Sequence, residues 1–437
     1  MKVATHTLGC KLNFAETSHL QRRFIEAGFN IVSYKESADL YVINTCTVTS
    51  VAEKKCRNAI RQALTQNPSA TIAVIGCFAQ NDARQIAAIP GVNIILGNDT
   101  KHQLLEVVQR YWDKQGMKGE GDQEPCIITP EPRSFVPCYS GDDRTRTFFK
   151  IQDGCDYYCS YCAIPLARGR SRSATVAETV AVAREIAATG TREVVLTGVN
   201  TGTFGKYNGE TFIELLRELD KIEDIARFRI SSIEPNLITE EIVDFVASSR
   251  AFLPHFHIPL QSGSDKVLKM MHRRYDTALY SRRVEYIKKA MPDACIAADV
   301  ITGFNGEDNH EFESSKQFIA SLPISYLHVF PYSDRPNTAA LHMDEKVPVK
   351  VRKSRGAELH ILSDAMRHAF VQSQMNTNHM VLWEHTCHGN VGGKPMMQGW
   401  TENYIRLQRP YEEALAGVVT PFEISESTIV ENFACDD

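Results

Sequence analysis

The chain has 437 residues, of which 43% are apolar and 23% charged, and this length predicts two or three domains with sizeable cores. Neither the start MKVATHTLGCKLN nor any later segment has the apolar run that a signal peptide or a membrane span needs, so we expect a cytoplasmic protein without membrane contact. Twelve cysteines without a secretion signal indicate metal chemistry rather than disulfides. The formal net charge of −5 gives no overall indication of a nucleic-acid partner, so such a partner has to be inferred from local features.

Residues 1–112 alternate short apolar runs with amphipathic stretches. The runs KVATHTLG, LYVINTC, TIAVIGC and VNIILG are short and rich in Val, Ile and Thr, as buried parallel strands are. Helical patterns such as FAETSHLQRRFIEAG lie between them. This alternation predicts an N-terminal α/β domain built on a doubly wound parallel sheet.

The next two regions differ in composition. Residues 113–146 are rich in Gly, Pro and charged residues, which predicts a linker. From residue 147 to 370 the alternation resumes with six strand-like segments, FFKIQDGC, REVVLTGVN, RFRISSIEP, HFHIPLQSG, CIAADVITGF and YLHVFPYS. Strands with helical crossovers predict a barrel, and six units instead of eight predict a partial (β/α)6 barrel.

Residues 373–437 change pattern again. They contain the strand-like segments HMVLWEHT, ENYIRLQ, VVTPFEIS and STIVENF, separated by turn residues. We therefore predict a small antiparallel β-barrel of the kind that often binds oligonucleotides. A structural cap on the preceding barrel explains the same pattern nearly as well.

The segment GCDYYCSYC, residues 154–162, holds Cys155, Cys159 and Cys162 directly after the first strand of the predicted barrel. Loops at that end of barrel strands build active sites. Thiolates bind zinc or iron–sulfur clusters, but structural zinc usually takes two closely spaced ligand pairs, and no second pair follows here. The pattern therefore favours a four-iron cluster with one iron open to another ligand.

Three further cysteines, Cys10, Cys46 and Cys77, each end a predicted strand of the N-terminal sheet. The carboxyl ends of parallel strands lie along one edge, where ligands bind, so these residues are expected to meet. A single cysteine is commonly a small buried apolar residue. Three at equivalent strand ends favour a second cluster held by three thiolates.

The C-x3-C-x2-C spacing resembles the signature of radical S-adenosylmethionine (SAM) enzymes, in which the open iron binds SAM. With Cys10, Cys46 and Cys77 included, nearly the whole chain resembles the methylthiotransferases of that superfamily, which end in a TRAM domain. The motifs GCKLN with Glu16, VINTC, LTGVNTGTFG, HIPLQSGSD and HVFPYSDRPNT are most similar to the branch that acts on threonylcarbamoyladenosine in tRNA.

This resemblance implies two [4Fe-4S] clusters and SAM as cofactors, with the tRNA anticodon loop, an electron donor and a sulfur donor as partners. The implied reaction adds a methylthio group to C2 of N6-threonylcarbamoyladenosine at position 37. Acid–base catalysis is too weak for that C–H bond, which makes radical chemistry the sensible route. The alternatives are the same reaction on isopentenyladenosine in tRNA or on a ribosomal protein side chain, and a non-catalytic RNA-binding protein that contains zinc.

Polar residues at successive strand ends are candidates for contact with SAM or substrate, namely Gly198, Asn200, Ser232, Glu234, Gln261 and Ser262. Tyr161 is a candidate for contact with the adenine of SAM, and Arg168 for a bidentate pair with its carboxylate. A packing or loop-capping role explains each of these residues comparably well. Basic residues between Arg144 and Arg172, and between Lys350 and Arg355, are candidates for phosphate contact.

Overall fold

The computed structural model describes residues 1–47, 50–117, 124–141, 145–391 and 393–430. Its N-terminal part is a six-stranded sheet with strand order 2-1-3-4-5-6, in which neighbouring strands run parallel. The strands are β1 (Lys2–Thr7), β2 (Asn30–Val32), β3 (Leu40–Thr45), β4 (Thr71–Gly76), β5 (Ile94–Leu96) and β6 (Cys126–Ile128). The helices are α1 (Lys11–Glu26), α2 (Ser50–Gln66), α3 (Cys77–Asn81), α4 (Ala83–Ala87) and α5 (Leu104–Met117).

Helices cover both faces of this sheet. One buried cluster contains Leu20 of α1 and Val108 of α5, and the cluster on the other face contains Ile60 of α2 and Phe78 of α3. The β3 and β4 strands are buried at every position, which explains their continuous apolar sequence. The predicted doubly wound parallel sheet is confirmed. The sixth strand, β6, comes from the segment that the sequence presents as a linker.

The central part of the chain contains the elements of the second α/β unit. Its strands are β7 (Cys138–Tyr139), β8 (Arg146–Lys150), β9 (Gln152–Asp153), β10 (Arg172–Ser173), β11 (Glu193–Thr197), β12 (Arg227–Ile230), β13 (His255–His257), β14 (Cys295–Thr302) and β15 (Tyr326–Pro331). Its helices are α6 (Ile164–Arg168), α7 (Val176–Ala188), α8 (Phe212–Asp220), α9 (Glu240–Ser248), α10 (Asp265–Met270), α11 (Thr277–Ala290), α12 (Asn309–Ser321) and α13 (Val349–Ser373).

Six parallel strands follow one another in the order β8, β11, β12, β13, β14, β15. The first three belong to one sheet and the last three to another, and parallel bridges from Phe228 to Phe252 and from Ser232 to His257 join the two sheets. Residues such as Phe149, Ile230 and Val300 point outwards into the core beneath the helices. The alternate residues of each strand therefore face inwards, and many of these are polar.

The C-terminal part is a four-stranded antiparallel sheet with strand order 18-17-16-19. Its strands are β16 (Asn378–Val391), β17 (Lys394–Thr401), β18 (Arg406–Pro410) and β19 (Val419–Glu423). Register shifts on either side of Cys387 bend β16, and Trp383, Met397 and Leu407 form the core of the sheet. The antiparallel arrangement agrees with the prediction.

The C-terminal region differs from the prediction in one strand that was missed and in one predicted strand, STIVENF, that is not formed in the described residues. KPMMQGWT, which was not predicted as a strand, is β17, and Gly399 lets it pass against β16, because a Cβ there would lie 2.6 Å from Val381 Cγ1. In STIVENF, the 3-10 helix Glu426–Thr428 takes up the start of the segment and only Ile429 forms an isolated bridge, while residues 431–433 lie outside the described part.

Helix α13 connects the second unit to the C-terminal sheet, so the boundary predicted at residues 370–373 falls in its last turn. Among the helices of the described residues, none is both long and apolar enough to cross a bilayer.

Candidate functional site

The first cysteine set lies at the carboxyl ends of three neighbouring strands. Cys10 follows β1 and caps helix α1, Cys46 directly follows β3, and Cys77 directly follows β4 and begins helix α3. Because the sheet order places β1, β3 and β4 side by side, the fold brings all three residues to one edge. The sequence prediction that they meet there agrees with this placement.

The loop that carries Cys10 is packed closely against Cys46. Gly9 has φ +108°, and a Cβ added there would lie 2.7 Å from Cys46 Cβ and 3.1 Å from its sulfur. Cys10 is exposed, whereas Cys46 and Cys77 are buried. Asn98 Nδ2 lies 3.6 Å from the sulfur of Cys77 and donates to the carbonyl of Ala167 at 2.7 Å, which ties this set to helix α6 of the second unit.

The second cysteine set, Cys155, Cys159 and Cys162, lies in a loop whose two ends are paired with each other. The antiparallel β9–β10 ladder joins the two ends of the loop, and the Cys155 N–H donates to the carbonyl of Gly169. Gly154 has φ +69°, and a Cβ there would lie 2.0 Å from the carbonyl oxygen of Arg170. The backbone of Ser160 also donates to Met271, so strand and helix elements fix the cysteine-bearing segment from both sides.

An arginine stands beside the second set. Arg273 Nη1 lies 3.0 Å from the sulfur of Cys159, and its other terminal nitrogen pairs with Glu234. Burial raises the pKa of Cys155 to about 11 and that of Cys162 to about 12. The thiols are therefore protonated when no metal is bound, and metal binding has to release their protons.

The spacing of the thiols fits clusters better than single ions. Within the described ranges, only two groups of at least three side chains have ligand atoms all within 4.8 Å of one another, and neither contains a cysteine. A zinc ion needs its ligands that close, because Zn–S bonds are about 2.3 Å long. A cubane cluster spreads its thiolates over separate irons, which suits three cysteines on separate strand ends.

A buried network of charges joins the two halves of the site. Glu16 of α1 accepts from Lys101, Lys150 and Arg168, and Asp153, next to the second cysteine loop, accepts from Lys150 and Arg168 at 2.9 Å. All five side chains are at least nine-tenths buried. Burial alone would raise the pKa of Glu16, but the three cations hold it well below its usual range. The network is therefore a charged bridge between the N-terminal sheet and the second unit.

Arg168, the candidate for the SAM carboxylate, is bonded within the protein. Its guanidinium is 1% exposed and donates to Asn13 at 2.6 Å as well as to Glu16 and Asp153. Burial would lower its pKa, but Asp153 and then the sulfur of Cys77, Glu16 and the sulfur of Cys10 raise it above its usual value. The side chain thus faces the first cysteine set, and Asn13, Glu16 and Asp153 accept hydrogen bonds from it. Its pairing with a SAM carboxylate stays a prediction.

Tyr161, the candidate for the adenine of SAM, lies in an apolar cluster that includes Phe304 and Met271, and burial raises its pKa strongly. Its ring meets that of Phe304 edge-on at 6.3 Å. Its hydroxyl lies 3.4 Å from Arg273. Packing therefore explains much of its environment, and contact with SAM stays a prediction.

The strand-end candidates lie where the sequence places them, at the carboxyl end of the parallel strands. Asn200 is 2% exposed, and its Nδ2 is buried with no hydrogen-bond partner. A Cβ at Gly198 would lie 2.8 Å from Gln152 Oε1, so the position has no room for a side chain. The others are placed as follows: Ser232 bridges to the next strand, Glu234 pairs with Arg273, Gln261 has φ +66° and Ser262 is buried.

The basic clusters are mostly unavailable for phosphate contact. Lys150 and Arg168 belong to the buried network, and Arg352 and Arg355 are each 5% exposed. The residues of these clusters that remain exposed are Arg170, Lys350 and Lys353, while Arg144 lies outside the described residues. The sequence could not separate these groups, since burial of an arginine depends on partners that are far along the chain.

Sequence reasoning missed Arg273, Lys101 and Asn98 as parts of the site. Each lies outside the cysteine motifs and reaches a cysteine or the charge network only through the fold. His257, Asp299 and His328 were also missed, although two of them fall in quoted motifs, HIPLQSGSD and HVFPYSDRPNT. Their ligand atoms lie within 4.8 Å of one another inside the strand array.

The comparisons with known proteins match this arrangement. Residues 2–97 match the family described as uncharacterized protein family UPF0004, and residues 149–319 match the radical SAM superfamily. The solved structure of the radical SAM methyltransferase TsrM from Kitasatospora setae, with cobalamin and a [4Fe-4S] cluster bound, has a TM-score of 0.57 at 15% identity and covers 78% of this chain and 77% of its own. The fold and the three-cysteine loop thus define a radical SAM enzyme.

Two relatives indicate which group of radical SAM enzymes the chain belongs to. The chain is 38% identical to threonylcarbamoyladenosine tRNA methylthiotransferase MtaB of Bacillus subtilis (strain 168), with 97% of this chain and 93% of the relative covered. It is 31% identical to tRNA-2-methylthio-N(6)-dimethylallyladenosine synthase of Carboxydothermus hydrogenoformans, with 87% of each covered. The chain belongs to the family of the threonylcarbamoyladenosine tRNA methylthiotransferases.

Proposed function

We propose that this enzyme transfers a methylthio group to C2 of N6-threonylcarbamoyladenosine at position 37 of tRNA. One observation carries the proposal: two sets of three thiols lie at the carboxyl ends of two parallel strand systems, and a buried charge network joins the two systems. A reaction that needs a sulfur-carrying centre and a SAM-binding centre around one base requires that arrangement. The family membership supplies the substrate.

In this proposal the second cysteine set, Cys155, Cys159 and Cys162, holds the [4Fe-4S] cluster that binds SAM, and the first set, Cys10, Cys46 and Cys77, holds the other cluster. When bound, the clusters and SAM supply the one-electron chemistry and the methylthio group that protein side chains cannot supply. An electron donor and a sulfur donor are therefore further partners of the enzyme.

The side chains around the second set prepare that site for a negatively charged cluster. Arg273 directs an N–H at the sulfur of Cys159, and Glu234 fixes the orientation of the guanidinium. The buried Nδ2 of Asn200, which has no partner in the protein, is a donor available to SAM or to the substrate. We assign Gly198, Ser232, Gln261 and Ser262 to the same wall because they end neighbouring strands.

The remaining parts of the chain take supporting roles. We propose that the six parallel strands form a partial barrel of the radical SAM type and that the C-terminal antiparallel sheet belongs to a TRAM domain that contacts the tRNA. The target base has to leave its stack to reach both clusters, as in other enzymes that modify bases. We place the enzyme in the cytoplasm because its substrate is tRNA.

Nucleoside analysis tests the proposal. Anaerobically reconstituted enzyme, with SAM, a sulfur donor and a reductant, is incubated with tRNA that carries threonylcarbamoyladenosine, and the digested nucleosides are examined by mass spectrometry. We expect the 2-methylthio derivative, and roughly eight irons per chain. The Cys155→Ala, Cys159→Ala, Cys162→Ala variant should lose about half of its iron and all SAM cleavage. Full iron content in that variant would contradict the ligand assignment.

The same experiment separates the alternatives. Parallel reactions receive tRNA that carries isopentenyladenosine, and ribosomal proteins from a strain that lacks the enzyme. Methylthiolation of the isopentenyl substrate alone would transfer the chain to the branch of its 31% identical relative. Colourless protein that contains stoichiometric zinc after anaerobic purification would favour a non-catalytic RNA-binding protein.

A further inference from the structure

The first cysteine set lies beside a buried network in which cations outnumber carboxylates. In the described residues, the ion pairs of this network join three cations to two carboxylates, namely Lys101, Lys150 and Arg168 to Glu16 and Asp153. Each of these side chains is at most 6% exposed. Arg172, which is partly exposed, also pairs with Asp153 and adds to the surplus. Because an unbalanced buried charge is costly, an anion is expected next to the network.

The amide of Asn98 connects one of these cations to a cysteine of the first set. Lys101 Nζ donates to Asn98 Oδ1 at 2.7 Å, and Asn98 Nδ2 lies 3.6 Å from the sulfur of Cys77. Because a lysine ammonium can only donate, the amide oxygen has to face Lys101, and the amide nitrogen therefore faces the sulfur. The charge of Lys101 polarises this amide, which stabilises a thiolate at Cys77.

The amide of Asn13 connects a second cation to the other two cysteines of the first set. Arg168 Nη2 donates to Asn13 Oδ1 at 2.6 Å. Asn13 Nδ2 in turn donates to the carbonyls of Leu8 at 2.7 Å and of Thr45 at 3.1 Å. These carbonyls belong to the strand-end segments that carry the other two cysteines. The surplus of positive charge is therefore linked to all three cysteine-bearing segments of the first set.

The charges beside the second cysteine set are arranged differently. Arg273, which donates to the sulfur of Cys159, pairs with the carboxylate of Glu234. This pair has no net charge. SAM carries a sulfonium cation, which a surplus of positive charge repels and a balanced pair does not. The two cysteine sets therefore provide different environments for ligands of different charge.

These observations deepen the proposed function and rest on it. Three thiolates outweigh the charge of an oxidised four-iron core, so a cluster on the first set is an anion that the neighbouring cations stabilise. We propose that Lys101 and Arg168 are positioning residues which, through the two amides, make the open iron of this cluster prefer an anionic sulfur ligand such as hydrosulfide to a neutral ligand. The buried cations stabilise the added negative charge of such a ligand, whereas a neutral ligand gains nothing from them.

Ligand binding to the cluster of the first set tests this assignment. In the Cys155→Ala, Cys159→Ala, Cys162→Ala background the other cluster is removed. The full chain is reconstituted anaerobically, reduced, and titrated with sodium sulfide at mildly alkaline pH, where hydrosulfide is the main form, or with imidazole as the neutral ligand. The electron paramagnetic resonance spectrum of the reduced cluster reports binding of either ligand.

Lys101→Met, added to this background, should weaken hydrosulfide binding about tenfold and change imidazole binding less than about twofold. It should also lower the reduction potential, because reduction adds a negative charge that the lost cation no longer stabilises. Two fully buried cations then remain for two carboxylates, so we expect the variant to fold. Arg168→Gln, which acts on other segments, should shift both readouts in the same direction. Lys35→Met, at an exposed lysine of the N-terminal unit, should change neither.

Other outcomes would overturn the inference. An unchanged hydrosulfide affinity in both Lys101→Met and Arg168→Gln would show that the cations do not select the ligand. An equal loss of affinity for hydrosulfide and imidazole would show that the cations only hold the cluster in place. Iron content is measured for every variant, and loss of the cluster from both variants would likewise make the role of the cations purely structural.

The failure of this inference is distinct from the failure of the proposed function. If the wild type makes no 2-methylthio product from threonylcarbamoyladenosine tRNA, the function itself is wrong. If the wild type makes the product and both variants keep the preference for hydrosulfide over imidazole unchanged, only the role of Lys101 and Arg168 is wrong.

Discussion

Replacement of Glu16 by Gln should destabilise the chain through the buried charge network. Glu16 is 5% exposed and is the common acceptor of Lys101, Lys150 and Arg168. In the Glu16→Gln variant, Asp153 is the carboxylate that still pairs with Lys150 and Arg168, and Arg172 also pairs with it. Lys101 keeps its hydrogen bond to the amide oxygen of Asn98 but loses its charged partner. Removing one partner of a buried ion pair typically costs about 3–5 kcal/mol, and we expect a loss of that size in the free energy of unfolding.

Urea unfolding of the metal-free chain, followed by circular dichroism, measures this effect. Glu26→Gln is a matched control, because Glu26 lies on the same helix α1 but is exposed. Its effect should be within about 0.5 kcal/mol of zero. The double variant Glu16→Gln, Lys101→Met should lose less than the sum of the two single variants, because it removes both an anion and the cation that needs it. A loss below 1 kcal/mol for Glu16→Gln would refute the reasoning.

The same network predicts how stability depends on pH. Burial by itself opposes ionisation of Glu16, but its cations hold the folded-state pKa below the unfolded value of about 4.3. The ionised carboxylate therefore contributes stability above that value, and this contribution is lost as the pH falls through the acid range. We expect the wild type to lose stability steeply below about pH 5, and Glu16→Gln to show a shallower pH dependence.

Two further predictions concern the second cysteine set. Gly154→Ala should reduce reconstituted iron by about half, because its Cβ would meet the carbonyl oxygen of Arg170 at 2.0 Å. Gly190→Ala, which is also at positive φ but has no atom within 4 Å, should keep full iron. Equal iron content in the two variants would contradict the packing argument. Arg273→Met removes the N–H directed at the sulfur of Cys159, so a redox titration followed by electron paramagnetic resonance should give a lower reduction potential, and an unchanged potential would show that this contact does not tune the cluster.

The local features of the site could be predicted from the sequence. The C-x3-C-x2-C spacing places three thiols in one short loop, and a cysteine at the end of each of three apolar runs predicts a shared sheet edge. The sequence also predicted that β3 and β4 are buried parallel strands, because strands that are buried on both faces consist of continuous apolar residues. Strand β17 was missed because its pattern of burial does not alternate and a glycine interrupts it.

The long-range partners could be found only in the folded chain. Arg168 bonds to Glu16 from 152 residues away, and Arg273 reaches Cys159 from 114 residues away. A sequence shows that an arginine is charged, but its partner depends on which elements pack together. The sequence therefore suggested SAM as a partner of Arg168 but could not show that Glu16 and Asp153 accept hydrogen bonds from it.

By itself, the sequence determined the chemistry of this protein: two sets of three thiols, each on a parallel α/β framework, together with the family that uses them. The tertiary structure alone decided which charges are buried, which remain exposed, and which of them pair with one another. The physical reason is that ligand spacing within a loop and apolar periodicity within a strand are local properties. Burial and pairing of charges depend on contacts between units that are remote in sequence.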